Sequence, residues 1–323
     1  MKKATGIWLV TAACLVLAGG ILFCLTMAAH HWDFSLLDSG QTETKTVEVA
    51  EAFKNISIHS DTEEIVFLPS GDGSCKVVCL EREKEAHTVT VLGDTLTIRR
   101  IDSRNWYDAL SLFSFVSPTI TVYLPQGEYT ALRIEEETGD ISIPGEFAFD
   151  SVDIRLSTGD VACRASASGL LRVKTTTGDI DLEGLSAGEL DLTVSTGHVR
   201  VRSVDCGGNV GIAVSTGKTD LTEVSCINLR STGDTGDMTL TNVAASGTIS
   251  LARATGDIRF AHCDAGELAV VTDTGDVTGT LLSDKVFIVH SDTGRIDVPE
   301  TTSGGRCKIT TDTGDIRIGI ANL

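Results

Sequence analysis

A Thr-Gly dipeptide returns at almost constant intervals through the second half of this 323-residue chain, and no other feature restricts the possible folds as strongly. Successive glycines of these dipeptides are separated by 19 or 20 residues. The ten glycines are Gly139, Gly159, Gly178, Gly197, Gly217, Gly236, Gly256, Gly275, Gly294 and Gly314. A period of this length, repeated this often, indicates an architecture in which one structural unit stacks on the next.

Apolar and polar residues alternate inside each repeat, as at Ile180 and Leu182 and again at Leu190 and Leu192. A period of two predicts short strands with one buried face. The positions two after, four after and five before each glycine form three series that are almost entirely aliphatic. The exceptions include Thr219, Ser231 and Gly279. Such series are typical of a core built from stacked columns of side chains.

These columns predict an all-β fold, a single-stranded parallel β-helix or β-solenoid, with about ten coils of 19–20 residues over residues 136–323. Glycine would supply the positive φ of a tight corner, and the Asp that often follows it would accept hydrogen bonds from backbone N–H groups. A two-sheet sandwich is the alternative fold. It would need antiparallel hairpins with less even spacing than this chain has.

The N-terminal segment predicts a membrane anchor. Residues 7–29 carry no charge and would form a helix of about 34 Å, long enough to cross a bilayer. Lys2 and Lys3 precede this segment, so we expect residues 1–6 in the cytoplasm, residues 30–45 as a linker, and the rest outside the cell. A cleaved signal peptide is the alternative, although its apolar core is usually shorter.

Residues 46–135 also alternate, but less regularly, and predict a strand-rich cap region that leads into the solenoid. A separate small β-domain is the alternative. The segment 104–118, RNWYDALSLFSFVSP, interrupts two of these strands and is rich in large apolar residues. It would either cover the open edge of the solenoid or dock on lipid or on a partner. The docking candidates are Trp106, Tyr107, Leu110, Leu112, Phe113 and Phe115.

The net charge of −19 argues against nucleic-acid binding, which needs a basic face. Acidic side chains stacked along the corners are predicted to be plain turn caps, with a calcium ladder as the less favoured alternative. The ladder residues are Asp140, Asp160, Asp179, Asp237, Asp257, Asp276 and Asp315. His198, Lys218 and Arg295 interrupt the ladder, which weakens the calcium interpretation. We predict no other metal site and no cofactor.

Sequence motifs that look catalytic are explained by the repeat. Asp-Thr-Gly occurs four times in phase with the coils, whereas an aspartic protease needs two such loops facing each other across a cleft. The GLSAG stretch at 184–188 lacks the strand-to-helix turn of a nucleophile elbow. Constant coil length also leaves little chain to build the cleft of a polysaccharide-processing enzyme. The chain is therefore predicted not to be an enzyme, with polysaccharide processing as the less favoured alternative.

Seven cysteines lie beyond the apolar N-terminal segment. An odd number cannot all pair within the chain, and no histidine is spaced with them as a zinc site would require. Cys206 and Cys226 both follow their repeat glycine by nine residues, so they would lie on adjacent coils, where pairing is possible. Most of the seven are expected to be small buried hydrophobic residues.

The apolar N-terminal helix, the strand-rich region, the aromatic WYDALSLFSF stretch and the serial STGD, TTGD and DTGD turns resemble a known family. This is the bacterial putative-adhesin family of unknown-function β-solenoid proteins of the cell envelope, and the resemblance covers residues 46–323. It implies an envelope location with an adhesion, presentation or scaffold role, and it carries no catalytic residues. Some members are associated with envelope-stress regulation, which makes a sensor or regulatory subunit with a membrane protein partner the alternative.

The partners predicted for this chain follow from its location and shape. They are the membrane through residues 7–29, a cell-wall component or envelope protein, and a second copy joined end to end. The end-to-end contact would use the bare edge expected after the C-terminal IRIGIANL stretch.

Overall fold

The computed structural model describes residues 2–29, 32, 42–82, 85–102 and 118–321. One α-helix, α1, covers Lys2–Ala29. Seven strands precede the regular repeats: β1 Thr42–Val49, β2 Asn55–His59, β3 Glu64–Pro69, β4 Cys75–Arg82, β5 Glu85–Leu92, β6 Thr95–Asp102 and β7 Thr119–Leu124. The strands of the repeats are β8 Gly127–Thr138, β9 Ile141–Ile143, β10 Phe147–Thr158, β11 Val161–Cys163, β12 Ser166–Thr177, β13 Ile180–Glu183, β14 Ser186–Thr196, β15 Val199–Cys206, β16 Asn209–Thr216, β17 Thr219–Cys226, β18 Asn228–Thr235, β19 Met238–Thr255, β20 Ile258–Thr274, β21 Val277–Leu281, β22 Lys285–Thr293, β23 Ile296–Asp297, β24 Gly305–Thr313 and β25 Ile316–Ile320.

Beyond α1 the described chain is all-β, and the predicted solenoid of about ten coils is confirmed. The predicted anchor at residues 7–29 is not confirmed. Across the part of the chain that the structure describes, no helix has both the length and the apolar character needed to cross a membrane.

Each coil contributes one strand to each of two parallel ladders that meet at the Thr-Gly corner. The first ladder contains the residues before the glycine and begins with β8, β10, β12 and β14. The second contains the residues after it and begins with β9, β11, β13 and β15. Ile134, Ile154 and Val173 are successive register partners in the first ladder, so the predicted aliphatic columns stack directly in the core.

The Thr-Gly corner excludes every side chain larger than hydrogen at the glycine. In nine of the ten glycines φ lies between 134° and 157°, a region that other residues rarely adopt. A Cβ at any of the ten would also lie only 1.8–2.2 Å from a backbone carbonyl oxygen of the adjacent coil. Two separate constraints therefore require glycine at the corner: the backbone conformation and the close approach of the adjacent coil.

A second corner lies six residues after the first, and glycine forms it in only one of the five coils where φ is left-handed. These residues are Gly184, Ser203, Glu223, Asn242 and His262, with φ between 50° and 65°. Single non-glycine residues can occupy this region at a modest energetic cost, because the stacked coils around them hold the backbone.

A third, shorter side follows the second corner and is filled by small side chains. Its buried column is Ala187, Cys206, Cys226, Ala245 and Ala265. Ala187 is the register partner of Cys206, and Cys226 that of Ala245. Cys206 and Cys226 are free thiols here, and all seven cysteines beyond α1 are buried and unpaired with one another.

The C-terminal coils are interleaved. β24 lies between β20 and β22, and β25 lies between β21 and β23, so the last coil in the chain is not the last in the stack. Ile296 in β23 is accordingly 42% exposed, whereas Ile316 in β25 is fully buried. The prediction of an open edge after the IRIGIANL stretch is wrong, because β22 and β23 form the edge at this end of the stack.

The N-terminal strands extend the same two ladders. β2 and β3 form a coil that stacks on β8 and β9, and β6 and β7 form the next coil outward. β5 pairs antiparallel with β6, and β4 pairs antiparallel with β7, so the coil of β4 and β5 runs in the opposite direction. β1 covers β4, also antiparallel.

A buried arginine explains two of the exceptions in the aliphatic columns. Arg253 is only 3% exposed, and its Nη2 donates to Ser231 Oγ at 3.0 Å and to Thr219 Oγ1 at 3.1 Å. Burial lowers its pKa. The hydroxyl residues replace aliphatic ones because the guanidinium needs acceptors inside the core.

We expect Gly217→Ala to destabilise the full chain by about 2 kcal/mol or more, because the new Cβ would lie 1.8 Å from the carbonyl oxygen of Gly197. The measurement is urea unfolding followed by far-UV circular dichroism. Gly211→Ala is the matched control in the same coil, because the nearest atom to its Cβ would be 3.7 Å away. Equal unfolding midpoints for the two variants would contradict the role assigned to the corner.

Arg253→Met should be neutral or stabilising, by up to about 4 kcal/mol, because it removes a buried charge whose hydrogen-bond partners among the described residues are hydroxyl, carbonyl and thioether groups. Ser231→Val alone should destabilise by about 1–3 kcal/mol, because it deprives the guanidinium of an acceptor. In the Arg253→Met background, Ser231→Val should lower the free energy of unfolding by less than it does in the wild type. Additive effects in this double-mutant cycle would mean that Arg253 and Ser231 are not coupled.

Candidate functional site

The seven corner aspartates, which are the candidate calcium ligands, accept hydrogen bonds from the neighbouring coil. Oδ1 of Asp140 accepts the backbone N–H of Asp160 at 2.8 Å, and Oδ1 of Asp160 accepts that of Asp179 at 2.7 Å. The same bond joins the carboxylate of Asp179 to the N–H of His198, Asp237 to Asp257, Asp257 to Asp276, Asp276 to Asp315, and Asp315 to Arg295. All seven aspartates therefore cap the neighbouring coil, and the order of the last three follows the interleaved stack.

Arginines bind second oxygens of this corner ladder. Arg200 pairs with Asp179 at 3.1 Å, and Arg259 pairs with Asp257 at 2.6 Å. Within the described ranges, none of the corner aspartates belongs to a group of three ligand atoms close enough to share a metal ion. Calcium binding by the ladder stays the less favoured alternative.

The six docking candidates of segment 104–118, from Trp106 to Phe115, lie outside the described residues. The strands on either side of them, β6 and β7, belong to one coil near the N-terminal end of the stack. Ile101, close to the end of β6, is 50% exposed.

A buried polar group lies in the same end of the solenoid and was missed by the sequence analysis. We name it the acid–histidine cluster, and it consists of Glu63, Cys79, Glu81, His87 and Glu136, each at most 6% exposed. The cluster occupies the place where the β2–β3 coil has no Thr-Gly corner. Instead, the carbonyl oxygen of Glu63 packs against Gly139 as a corner glycine does in the other coils.

Alternation along the strands places the side chains of Cys79, Glu81 and His87 at one point in the interior. Cys79 and Glu81 are two apart on β4, so both point inward. His87 is on β5 and enters from the first ladder. The signal in the sequence was the inward alternation Cys75, Val77, Cys79, which continues to a charged residue at Glu81.

The imidazole of His87 lies between two carboxylates. Its Nδ1 is 3.0 Å from Glu81 Oε2, and its Nε2 is 3.4 Å from Glu63 Oε1. The backbone N–H of His87 also donates to Glu81 Oε2 at 2.7 Å. Arg100 joins the edge of the cluster, with Nη1 at 2.9 Å from Asp61 Oδ2 and 3.9 Å from Glu63 Oε1.

The second oxygen of Glu63 is held by three donors. Its Oε2 accepts the hydroxyl of Ser60 and the backbone N–H groups of Asp61 and Thr62, the latter two at 2.9 and 2.8 Å. Burial opposes ionisation of Glu63, but the hydrogen bonds from His87, Ser60 and these N–H groups lower its pKa to about 2. Burial would lower the pKa of His87, yet contact with Glu63 and Glu81 raises it overall.

In Glu136 and Cys79, by contrast, the surroundings raise the pKa and favour the protonated form. Burial, followed by repulsion from Glu63, raises the pKa of Glu136 to about 8. Burial, reinforced by Glu81, raises the pKa of Cys79 to about 12. Glu136 Oε1 accepts the backbone N–H of Glu63 at 3.3 Å, while its Oε2 has no hydrogen-bond partner among the described residues.

The cluster has the composition of a metal-binding group. One ligand atom each from Cys79, Glu81 and His87 lie within 4.8 Å of one another, and all three residues are buried. Thiolate, carboxylate and imidazole are the side-chain groups that bind zinc in proteins. The stacked coils elsewhere use their carboxylates on backbone N–H groups and arginines.

The third side of the solenoid carries a shallow groove lined mainly by small residues. Gly208 and Gly266 stand where a Cβ would lie 2.5 and 2.8 Å from carbonyl oxygens of the preceding coil. At the C-terminal end of the groove, Lys285 donates to Asp264 at 2.7 Å. The groove has two stretches with different lining residues.

Comparison with known proteins gives one family. The family model described as Toastrack DUF4097 matches residues 53–213 and 207–322. This match confirms the family resemblance drawn from the repeated turns. No curated protein matches the chain.

Several solved structures are similar to this chain. One is named a putative lipid binding protein from Parabacteroides distasonis ATCC 8503, with 13% identity, a TM-score of 0.49, and coverage of 87% of this chain and 98% of that one. A putative adhesin from Bacteroides fragilis NCTC 9343 has 14% identity, a TM-score of 0.43, and coverage of 86% and 97%. A putative adhesin from Parabacteroides merdae ATCC 43184 has 12% identity, a TM-score of 0.33, and coverage of 87% and 98%.

Glu136→Gln should change how stability depends on pH. A folded-state pKa near 8, above the usual 4.5, means that protonation of Glu136 stabilises the fold fully below pH 4.5, and that this contribution is lost as pH rises through 8. The amide keeps the acceptor for the N–H of Glu63 without the charge. The variant should match the wild type at pH 4.5 and melt at least about 3 °C higher at pH 8.5.

Thermal unfolding of the full chain at both pH values is the measurement. Glu137→Gln is the control, because Glu137 is the exposed neighbour of Glu136. Its melting temperature should follow the wild type at both pH values. A Glu136→Gln variant that is less stable than the wild type at pH 8.5 would contradict the raised pKa.

Proposed function

This chain belongs to the Toastrack DUF4097 family, and from that premise we propose that it is a non-enzymatic, membrane-anchored surface β-solenoid. Its role is adhesion, presentation or scaffolding at the cell envelope. The unbroken stack of coils with nearly constant length carries this proposal. Such a stack presents the same surfaces repeatedly along a stiff body, which suits multivalent contact with an extended partner.

The non-enzymatic part of the proposal rests on where the carboxylates are. The corner aspartates cap neighbouring coils, and Glu63, Glu81 and Glu136 are buried inside the stack. Glycoside hydrolysis needs two carboxyl groups facing a substrate in a cleft. The groove of the third side is shallow and lined mainly by alanine, serine and glycine, and its acidic residues are Glu128, Asp150, Asp205, Asp264 and Asp284. Three of these carboxylates are held by neighbouring side chains: Asp150 by Ser168, Asp205 by Ser225, and Asp264 by Ser283 and Lys285.

The anchor is supported by the N-terminal sequence. Residues 7–29 are uncharged, Lys2 and Lys3 precede them, and α1 exposes Trp8, Leu15 and Leu22 with 74%, 68% and 67% of their surface. Lipid would cover such side chains. The positive residues put the N-terminus in the cytoplasm and the solenoid outside the cell.

Segment 104–118 is the proposed docking element. It joins two strands of a coil near the N-terminal end of the stack, where the exposed Ile101 adds to its apolar character. Contact with lipid or with an envelope protein would bury these residues. The proposed surface for contact with a second copy is the open edge of β22 and β23, where Ile288 and Ile296 are 51% and 42% exposed.

The full chain, reconstituted in nanodiscs of zwitterionic lipid, should sediment with isolated cell walls. We expect wall binding to survive in a Trp106→Ser, Phe113→Ser, Phe115→Ser variant, because the regular coils make that contact. Flotation with anionic liposomes should be lost in the same variant, because its docking side chains are gone. Bound fractions are read from gels after centrifugation.

An Ile227→Ser, Val271→Ser variant is the control, because both residues are exposed apolar side chains of the coils, each 46% exposed. It should retain liposome binding. Binding of the wild type to neither walls nor liposomes would contradict the adhesion role. That outcome would favour the alternative, a sensor or regulatory subunit that works through a membrane protein partner.

A further inference from the structure

The acid–histidine cluster concentrates three kinds of metal ligand at one buried point. Sγ of Cys79, a carboxylate oxygen of Glu81 and a ring nitrogen of His87 lie within 4.8 Å of one another. Across the described ranges this is the one group of three or more such residues with that spacing. Cys163, by contrast, is equally buried, but its Sγ approaches the carbonyl oxygen of Ala165 and belongs to no such group.

The fourth residue of the arrangement faces the imidazole from its other side. The side chain of Glu63 is fully buried, and its Oε1 lies 3.4 Å from His87 Nε2. The two atoms face each other across this gap, inside the stack. Because Glu63 Oε2 is held by Ser60 and two N–H groups, its Oε1 stays aimed at the ring.

This geometry matches the way proteins orient a histidine that binds a metal ion. One ring nitrogen binds the ion, and the other donates its N–H to a carboxylate that fixes the tautomer and the ring plane. Here Nδ1 faces Glu81, and Nε2 faces Glu63. The ligand side of the ring is therefore the side shared with Glu81 and Cys79.

We propose that Cys79, Glu81 and His87 bind one divalent transition-metal ion of the zinc class, and that Glu63 orients His87. A thiolate and a carboxylate supply two negative charges, which balance a doubly charged ion. Sulfur and nitrogen ligands select zinc or cobalt over calcium or magnesium, which prefer oxygen. Binding replaces the thiol proton of Cys79 and any proton on His87 Nδ1, and both protons leave to solvent.

The ion would join β4 to β5 in the antiparallel coil that ends the stack. This coil is where the parallel ladder stops, so it lacks a further parallel coil on its outer side. A metal crosslink there would stabilise the end of the solenoid beside the coil of β6 and β7. This role does not depend on the proposed adhesion function.

Cobalt(II) is the probe, added to the full chain in detergent after treatment with a chelator and a reductant. We expect one Co²⁺ per chain, with visible d–d bands and a near-ultraviolet band from thiolate-to-cobalt charge transfer. Zinc should abolish both and raise the melting temperature. No spectrum, or d–d bands without the charge-transfer band, would overturn the proposal.

Variants assign the ligands. Cys79→Ser should lose the charge-transfer band, and Cys163→Ser, the matched control, should keep it. Glu63→Gln should keep the band but bind Co²⁺ at least about 10-fold more weakly, as expected for an orienting carboxylate. Retention of the band in Cys79→Ser, or unchanged affinity in Glu63→Gln, would overturn the corresponding assignment.

Circular dichroism of the metal-free variants checks that they fold. Glu81→Gln provides a second test, because it keeps the thiol and should still weaken Co²⁺ binding at least about 10-fold. If Cys79→Ser does not fold, the affinity of Glu81→Gln decides the outcome. Wild-type affinity in a folded Glu81→Gln variant would remove Glu81 from the site.

Discussion

The close approach of successive Thr-Gly corners is the constraint on which the rest of this structure depends. Each corner glycine lies against a backbone carbonyl oxygen of the coil that precedes it in the stack, at a distance that leaves no room for a Cβ. The aspartate beside the glycine accepts an N–H group of the coil that follows in the stack. Steric fit and hydrogen bonding together set the register, and the aliphatic columns stack because the register is constant.

The interior tolerates departures from that pattern only where the neighbours compensate. Arg253 enters the core because Ser231 and Thr219 supply acceptors in place of aliphatic side chains. His198 and Lys218 interrupt the aspartate ladder, yet the backbone bonds of the corner continue, as from the N–H of Gly197 to the carbonyl of Thr216. The backbone ladder therefore carries the stack, and the side chains adjust to it.

The acid–histidine cluster lies where the parallel stack ends. Parallel coils leave an open edge, and the reversed coil of β4 and β5 covers it at the N-terminal end. Reversal brings a histidine from one ladder beside a cysteine and a glutamate from the other. The regular coils present the same surfaces repeatedly, while the N-terminal coils bring Glu63, Cys79, Glu81, His87 and Glu136 together in the interior.

The sequence by itself determined the repeat, the corner glycines and the aliphatic columns. These features depend on residues close in the chain, and a period of 19 or 20 exposes them without knowledge of contacts. The left-handed second corner was hidden, because Ser203, Glu223, Asn242 and His262 have no common chemistry. Only the tertiary structure decided the interleaved ends and the meeting of Glu63, Cys79, Glu81 and His87. Both arise from the order in which distant strands pair, which local periodicity does not encode.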